Sequence, residues 1–204
     1  MSYGIPMSDP PIETTADLLA EVLAELAEIV DGIGDGQLHA PTPCTDFDVA
    51  QLRDHIVGWL TVFAGGFADP AGQAPVSLLD GYTASGGGAA VRDAAASLDR
   101  ALRAGAAGRP LRLGEAAMPG ALALGMILWE YQVHGWDLAA ATGQRFEPPV
   151  AAAEASLAFA PRMLTDDYQG EGKAFAPAVA VRAEAPPLER LVGLSGRDPG
   201  WTAG

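Results

Sequence analysis

A long apolar stretch, residues 120 to about 141, decides which folds this chain can adopt. Pro119 precedes the stretch and Gly143, a typical C-terminal stop, follows it, so the sequence predicts one continuous helix. Strongly apolar residues surround Glu130 and His134 within it, which indicates that the helix is largely buried. A chain that buries such a helix must supply other apolar faces to cover it.

Three amphipathic stretches supply those faces. Apolar residues recur every three or four positions over about 14–33, 47–67 and 89–104, a spacing that places them on one side of a helix. Shorter helices are expected over about 150–164 and 188–194. The predicted fold is therefore all-α, a four-helix bundle with an extra C-terminal helix and an irregular tail.

Glycine and proline are frequent in the segments between these helices. Thr45 or Asp46 is expected to cap the second helix, because the prolines before them exclude a helix there. Residues 68–88 are expected to form a flexible loop that borders a functional site or is a surface insertion. They lack the spacing of a phosphate-binding loop. Leu111–Leu113 is expected to pair with Ala116–Met118 as a small hairpin.

The chain divides into three predicted parts. These are a disordered tail over 1–12, a helical bundle over 13–166 and a C-terminal extension over 167–204 that packs on the bundle. Trp201 and the Pro-rich segment before it can pack on the bundle or on a neighbouring copy, which leaves a homodimer open.

Charge and composition argue against several classes of function. The net charge of −14 argues against nucleic acids and anionic membranes as partners, because both are negatively charged. Cys44 is the single cysteine, so no disulfide can form within the chain, which fits a reducing compartment. The N-terminus lacks the features of a secretory signal, and no apolar run reaches the about 20 residues that span a bilayer. A cytoplasmic localisation is therefore expected.

Glu130 and His134 form a candidate metal-binding pair. On a helix they share one face, about 40° apart around the axis and about 6 Å apart along it. Burying a carboxylate is costly unless a cation or a metal ion accompanies it. His55, on the apolar side of the second helix, is the best third ligand; two imidazoles and a carboxylate suit zinc, nickel or another divalent transition metal. The alternatives are a solvated Glu–His pair and a core histidine with a hydrogen-bonded ring.

Three other polar residues are weaker candidates. His39 is expected at the surface, in the loop before the second helix. Cys44 is expected to be an inert, partly buried thiol, because no base stands at a recognisable spacing from it. Asp137 can accept a hydrogen bond from a ligand histidine or play a structural role at a helix end, and we favour the structural role.

Three stretches of the chain resemble a known family. They are TPCTDFDVAQLRDHIVG over 42–58, EYQVHGWDLAAATG over 130–143 and, in one branch of the family, APPLERLVGLSGRDP over 185–199. The family is that of the mycothiol-dependent maleylpyruvate isomerase-like proteins, within the DinB-like superfamily of metal-binding four-helix bundles. The resemblance covers about 13–201 and implies a DinB-like bundle.

The resemblance also implies a site and a chemistry. Family members bind a divalent metal through one His of the second helix and a Glu and a His one turn apart on a later helix, which are His55, Glu130 and His134 here. Relatives use mycothiol or a similar thiol as cofactor or co-substrate, for isomerisation or thiol S-transfer. The implied partners are a small-molecule thiol and a small electrophile; the alternative is a metal-binding or ligand-binding module without catalysis. Phe47 replaces a common Trp and the C-terminal region differs from that of the isomerase, so maleylpyruvate is not the expected substrate.

Overall fold

Helices account for most of the computed structural model, which describes residues 11–173 and 175–203. The helices are α1 (Ile12–Asp31), α2 (Val49–Ala68), α3 (Gly88–Arg103), α4 (Gly120–Thr142), α5 (Val150–Phe159) and α6 (Pro187–Leu194). The strands are β1 (Gln73–Ala74), β2 (Leu111–Leu113) and β3 (Ala116–Met118). The predicted all-α class is confirmed. Most of the tail predicted over 1–12 lies outside the described residues, and Ile12 already belongs to α1.

The four long helices pack around one core. α3 contacts both α1 and α2, and α4 also contacts both, while α5 and α6 cover part of α4. Large, fully buried side chains from all four helices fill the centre: Leu19, Leu23, Leu26, Leu52, Ile56, Leu60, Leu98, Leu124, Ile127 and Leu128. Because α4 is buried on most sides, its polar residues Gln132 and Asp137 are also fully buried. Such buried polar groups need partners: Gln132 donates to the Ser156 hydroxyl of α5, and the partners of Asp137 belong to the candidate site.

The ends of α4 agree with the sequence prediction. The helix begins directly after Pro119, whose fixed φ and missing N–H suit a position just before a helix. Gly143 follows the last residue with a φ of 69°, a left-handed conformation that glycine adopts without strain. The prediction of 120 to about 141 is therefore correct to within one residue.

The predicted cap of α2 is wrong. Asp48, and not Thr45 or Asp46, caps the helix: its Oδ1 accepts a hydrogen bond from the Gln51 backbone N–H at 2.8 Å. In return, the Gln51 Oε1 accepts one from the Asp48 N–H at 2.9 Å, which completes a capping box. The helix starts late because the hydroxyl of buried Thr42 contacts the carbonyl oxygens of residues 44 and 47, at 2.8 and 2.9 Å, and fixes a turn there.

The segment over 68–88 carries more structure than the sequence predicts. β1 pairs in parallel with β2, and β2 pairs with β3 as predicted, so the small hairpin becomes a three-stranded sheet. Beyond β1, Leu79 and Tyr82 pack so closely on Gly58 of α2 that a Cβ there would lie 3.1 Å from each side chain. The Ala84 N–H donates a hydrogen bond to the Asp54 carboxylate at 3.0 Å. These contacts hold the segment against α2.

The C-terminal segment packs on α4. Phe175 stacks beside Trp129 with ring centroids 5.2 Å apart, and the Trp129 indole N–H donates a hydrogen bond to the Ser195 hydroxyl at 2.9 Å. Trp201 is partly buried against the core of its own chain. Across residues 11–173 and 175–203, no helix combines the length and the apolar character that crossing a membrane requires.

Candidate metal centre

Two helices bring the three predicted ligands together. α4 presents Glu130 and His134 one turn apart on one face, and α2, which packs on α4, presents His55 towards them. One ligand atom from each of these residues lies within 4.8 Å of the other two. The two imidazole rings meet edge to face, with centroids 5.2 Å apart and an interplanar angle of 77°. The spacing is compact enough for a single ion to contact all three after small side-chain adjustments.

Glu130 and His55 have ligand atoms that the protein does not use. Within the described residues, neither the Glu130 carboxylate nor the His55 ring nitrogens form a hydrogen bond with the protein. Burial raises the pKa of Glu130, while the nearby His134 and Arg197 lower it. Burial, followed by the neighbouring His134, lowers the pKa of His55 to about 4. A neutral imidazole at His55 and a partly buried carboxylate without a hydrogen-bond partner match the needs of a bound divalent cation.

His134 is oriented by a buried carboxylate. Its Nδ1 lies 3.1 Å from Asp137 Oδ2, and the Asp137 side chain is completely buried. With Nδ1–H donating to the carboxylate, the lone pair of Nε2 is free for a metal ion, an arrangement typical of metal-ligating histidines. The predicted role at a helix end is wrong, because α4 continues to Thr142 and leaves Asp137 inside the helix. The contact with His134 agrees with the alternative, and whether His134 is a metal ligand stays a prediction.

Arg197 is a member of the site that sequence reasoning missed. It is 13% exposed, and its Nη2 donates a hydrogen bond to the same Asp137 Oδ2 at 3.2 Å. The two residues are 60 positions apart, and the segment around Arg197 has no periodic pattern that predicts its position. A usable signal was Asp137 itself, because a buried carboxylate on an apolar helix calls for a cation.

Cys44 also lies at this site. One atom each of Cys44, His134 and Asp137 falls within 4.8 Å of the others, which makes a second group of candidate ligands. Burial raises the pKa of the Cys44 thiol, and the charge of Arg197 opposes that effect. The thiol is partly buried, as predicted, but its proximity to His134 was not foreseen.

Aromatic rings and an exposed histidine complete the surroundings. The Phe47 ring centroid lies 4.9 Å from that of His55, and the Trp59 ring centroid lies 6.4 Å from it; both aromatic side chains are half-buried. His39 has a 90% exposed side chain, as predicted, and contacts Asp48 rather than the candidate ligands.

An apolar cavity of about 630 Å³ lies between α1, α4 and α5, and none of the three candidate ligands lines it.

Comparison with known proteins adds a family to this geometry. The family model described as the mycothiol maleylpyruvate isomerase N-terminal domain matches residues 19–139. Two proteins of Mycobacterium tuberculosis are similar over 175 residues, with 31% identity: uncharacterized protein MT0763 of strain CDC 1551 / Oshkosh and uncharacterized protein Rv0738 of strain ATCC 25618 / H37Rv. Each alignment covers 84% of this chain and 91% of the relative. No solved structure matches the chain significantly.

Proposed function

Because this chain belongs to the family of the mycothiol maleylpyruvate isomerase N-terminal domain, we propose that it binds a divalent metal ion and uses it with a small-molecule thiol. The ligands are His55, Glu130 and His134, and the metal is zinc or another transition metal such as nickel. The reaction is either thiol S-transfer to a small electrophile or isomerisation of that electrophile. Mycothiol or a similar thiol is the cofactor or co-substrate.

One observation carries the proposal. Three potential ligand atoms lie within 4.8 Å of one another, and within the described residues two of the three side chains make no hydrogen bond to the protein. The third, His134, has its other ring nitrogen bound to Asp137, which is how proteins fix the orientation of a ligating histidine. If Glu130 and His134 were only a solvated pair, His134 would not need the fully buried Asp137 carboxylate at its Nδ1.

The chemistry divides between the ion and the chain. A bound divalent metal ion supplies a positive charge that lowers the pKa of a coordinated thiol and favours its thiolate at neutral pH. The chain holds two imidazoles and one carboxylate in place, and the rings of Phe47 and Trp59 contact the His55 ring. In S-transfer the thiol proton leaves to solvent, a sulfur–carbon bond forms, and the leaving group departs with its electron pair.

Metal analysis of purified protein tests the ligand set. We expect about one metal ion per chain in the natural protein and a large loss in His55→Ala, Glu130→Ala and His134→Ala. His39→Ala is the matched control, because His39 is an exposed histidine away from the cluster. A natural protein that binds no stoichiometric metal, or a His134→Ala variant with unchanged metal content, would contradict the proposed site.

Thiol consumption tests the enzymatic part. The metal-loaded protein is incubated with mycothiol and a panel of small electrophiles, and the loss of free thiol is followed over time. We expect turnover by the natural protein and by His39→Ala, and none above background by His55→Ala. Metal binding without any turnover would favour the other candidate, a metal-binding module without catalysis, which the partly buried, ligand-rich cluster supports equally well.

A further inference from the structure

A chain of two polar contacts leads from the C-terminal segment to the candidate ligand His134. Asp137 Oδ2 lies 3.1 Å from His134 Nδ1 and accepts a hydrogen bond from Arg197 Nη2 at 3.2 Å. The Asp137 side chain is 0% exposed and that of Arg197 is 13% exposed. Both donors therefore meet at one oxygen of a carboxylate that water does not reach.

We infer that Arg197 is a positioning residue of the metal centre: it holds the Asp137 carboxylate, which in turn fixes the ring of His134. The inference rests on the proposed function in naming His134 as a ligand. Arg197 acts through Asp137 and does not itself contact the ion.

The charge of Arg197 is what allows Asp137 to work in this way. A buried carboxylate is costly unless a cation pairs with it, and within the described residues Arg197 is the only Lys or Arg that forms an ion pair with Asp137. Without the guanidinium, the Asp137 carboxylate loses the hydrogen bond that holds it and is free to move towards another donor. The Nδ1–H of His134 then no longer has an acceptor in a fixed position.

The Arg197 side chain is itself held in place from both sides. Its Nη1 donates to the Ser195 carbonyl oxygen at 2.8 Å, and its backbone N–H donates to the Val192 carbonyl oxygen at 3.0 Å. Ser195 in turn accepts the hydrogen bond from the indole of Trp129, which directly precedes the ligand Glu130 on α4. The contacts that fix Arg197 thus start and end on the helix that carries two of the three ligands.

The same cation separates the two groups of candidate ligands. A metal ion bound by Cys44, His134 and Asp137 would have to sit beside a guanidinium that already binds the Asp137 carboxylate, and the two positive charges would repel each other. In the group of Cys44, His134 and Asp137, the guanidinium of Arg197 thus already supplies the positive charge that a metal ion would bring. In the group of His55, Glu130 and His134, the carboxylate of Glu130 is near the charge of Arg197, but within the described residues it is not hydrogen-bonded to it.

The first test measures Co²⁺ affinity and the visible spectrum of bound Co²⁺ for a set of variants. We expect Arg197→Met and Asp137→Asn each to bind about 10- to 100-fold more weakly than the natural protein, the usual effect of losing such a supporting carboxylate. Arg197→Lys should recover part of the loss, because it keeps the charge. Arg190→Met, which changes an exposed arginine on α6, is the control and should bind normally.

A double-mutant cycle separates positioning from a general loss of stability. If Arg197 acts through Asp137, the double variant Asp137→Asn/Arg197→Met binds Co²⁺ no more weakly than Asp137→Asn alone. Full additivity of the two losses, or unchanged affinity in Arg197→Met, would overturn the inference. Circular dichroism confirms that each variant is folded before its affinity is compared.

A metal-independent measurement keeps this inference distinct from the proposed function. Long-range ¹H–¹⁵N NMR of the metal-free protein reports the tautomer of His134. We expect the Nδ1–H form in the natural protein and in Arg190→Met, and a mixture in Arg197→Met. An unchanged tautomer in Arg197→Met would refute the positioning role even if no metal binds, whereas absence of metal binding with the expected tautomer shift would refute only the proposed function.

Discussion

Replacing Glu130 with glutamine should have opposite effects on stability with and without metal. In the metal-free protein, burial raises the pKa of Glu130 and the carboxylate has no hydrogen-bond partner among the described residues. Glutamine has nearly the same shape without the charge, so the cost of burying the anion disappears. Metal-free Glu130→Gln should therefore be at least as stable as the metal-free natural protein.

Metal should reverse this order. A ligand present at 100 times its dissociation constant stabilises the folded state by about 2.7 kcal/mol, provided that it binds the folded chain alone. For a chain of 204 residues, each kcal/mol moves the melting temperature by roughly 2–4 °C. The natural protein should therefore gain about 5–11 °C, whereas Glu130→Gln, which lacks the anionic ligand, should gain little.

Thermal unfolding followed by circular dichroism checks both halves of this prediction. Each protein is stripped with a chelator, dialysed, and melted with and without Zn²⁺, and His39→Ala serves as the control that should behave like the natural protein. Equal zinc-induced shifts in the natural protein and in Glu130→Gln would refute Glu130 as a ligand. A metal-free Glu130→Gln that melts well below the natural protein would refute the argument that the buried carboxylate is a cost.

Three further predictions concern the scaffold. Asp48→Ala should lose about 1 kcal/mol of unfolding free energy, because it removes the capping box of α2, whereas Asp46→Ala should change little; urea unfolding compares the two. Asp31 accepts hydrogen bonds from an arginine and a backbone N–H of α3, which lower its pKa below the ordinary 3.8. Its stabilisation is thus present above pH 3.8 and lost as the pH falls through the lower value, so an acid titration of Asp31→Asn should show a smaller loss of stability there than the natural protein. Gly66→Ala should destabilise by about 1–3 kcal/mol, because the added Cβ would lie 2.6 Å from a leucine side chain of β2 and 3.0 Å from the backbone of β1. Gly36→Ala, with no atom within 4 Å of the added carbon, is its control, and equal melting temperatures for the two would contradict the packing argument.

The fold could be predicted because its signals are local. Apolar residues at helical spacing identified all four long helices, and Pro119 and Gly143 marked the ends of α4. The cap of α2 was misjudged because several residues of one loop were able to cap it. Asp48 caps the helix because the Thr42 hydroxyl fixes the turn just before it. The spacing of residues in the sequence does not reveal such a hydrogen bond between a side chain and the backbone.

The site could be predicted only where helices carry it. Glu130 and His134 share a helix face by geometry, and the apolar side of α2 pointed His55 towards them. Arg197 and Cys44 approach from irregular segments, whose paths depend on packing over long sequence separations. The parallel pairing of β1 with β2 escaped prediction for the same reason, since two residues of strand carry no periodic pattern.

The contact between Asp137 and Arg197 also sets an order of assembly during synthesis. At about 5–20 residues per second, the 60 residues between them take roughly 3–12 s to translate. At the start of this interval α1 to α3 are complete and α4 lacks only its last five residues, while the cation that pairs with Asp137 has not yet been made. The growing chain can therefore begin to pack its four long helices early, whereas the contact that holds Asp137 beside His134 forms only after Arg197 has been made and has docked.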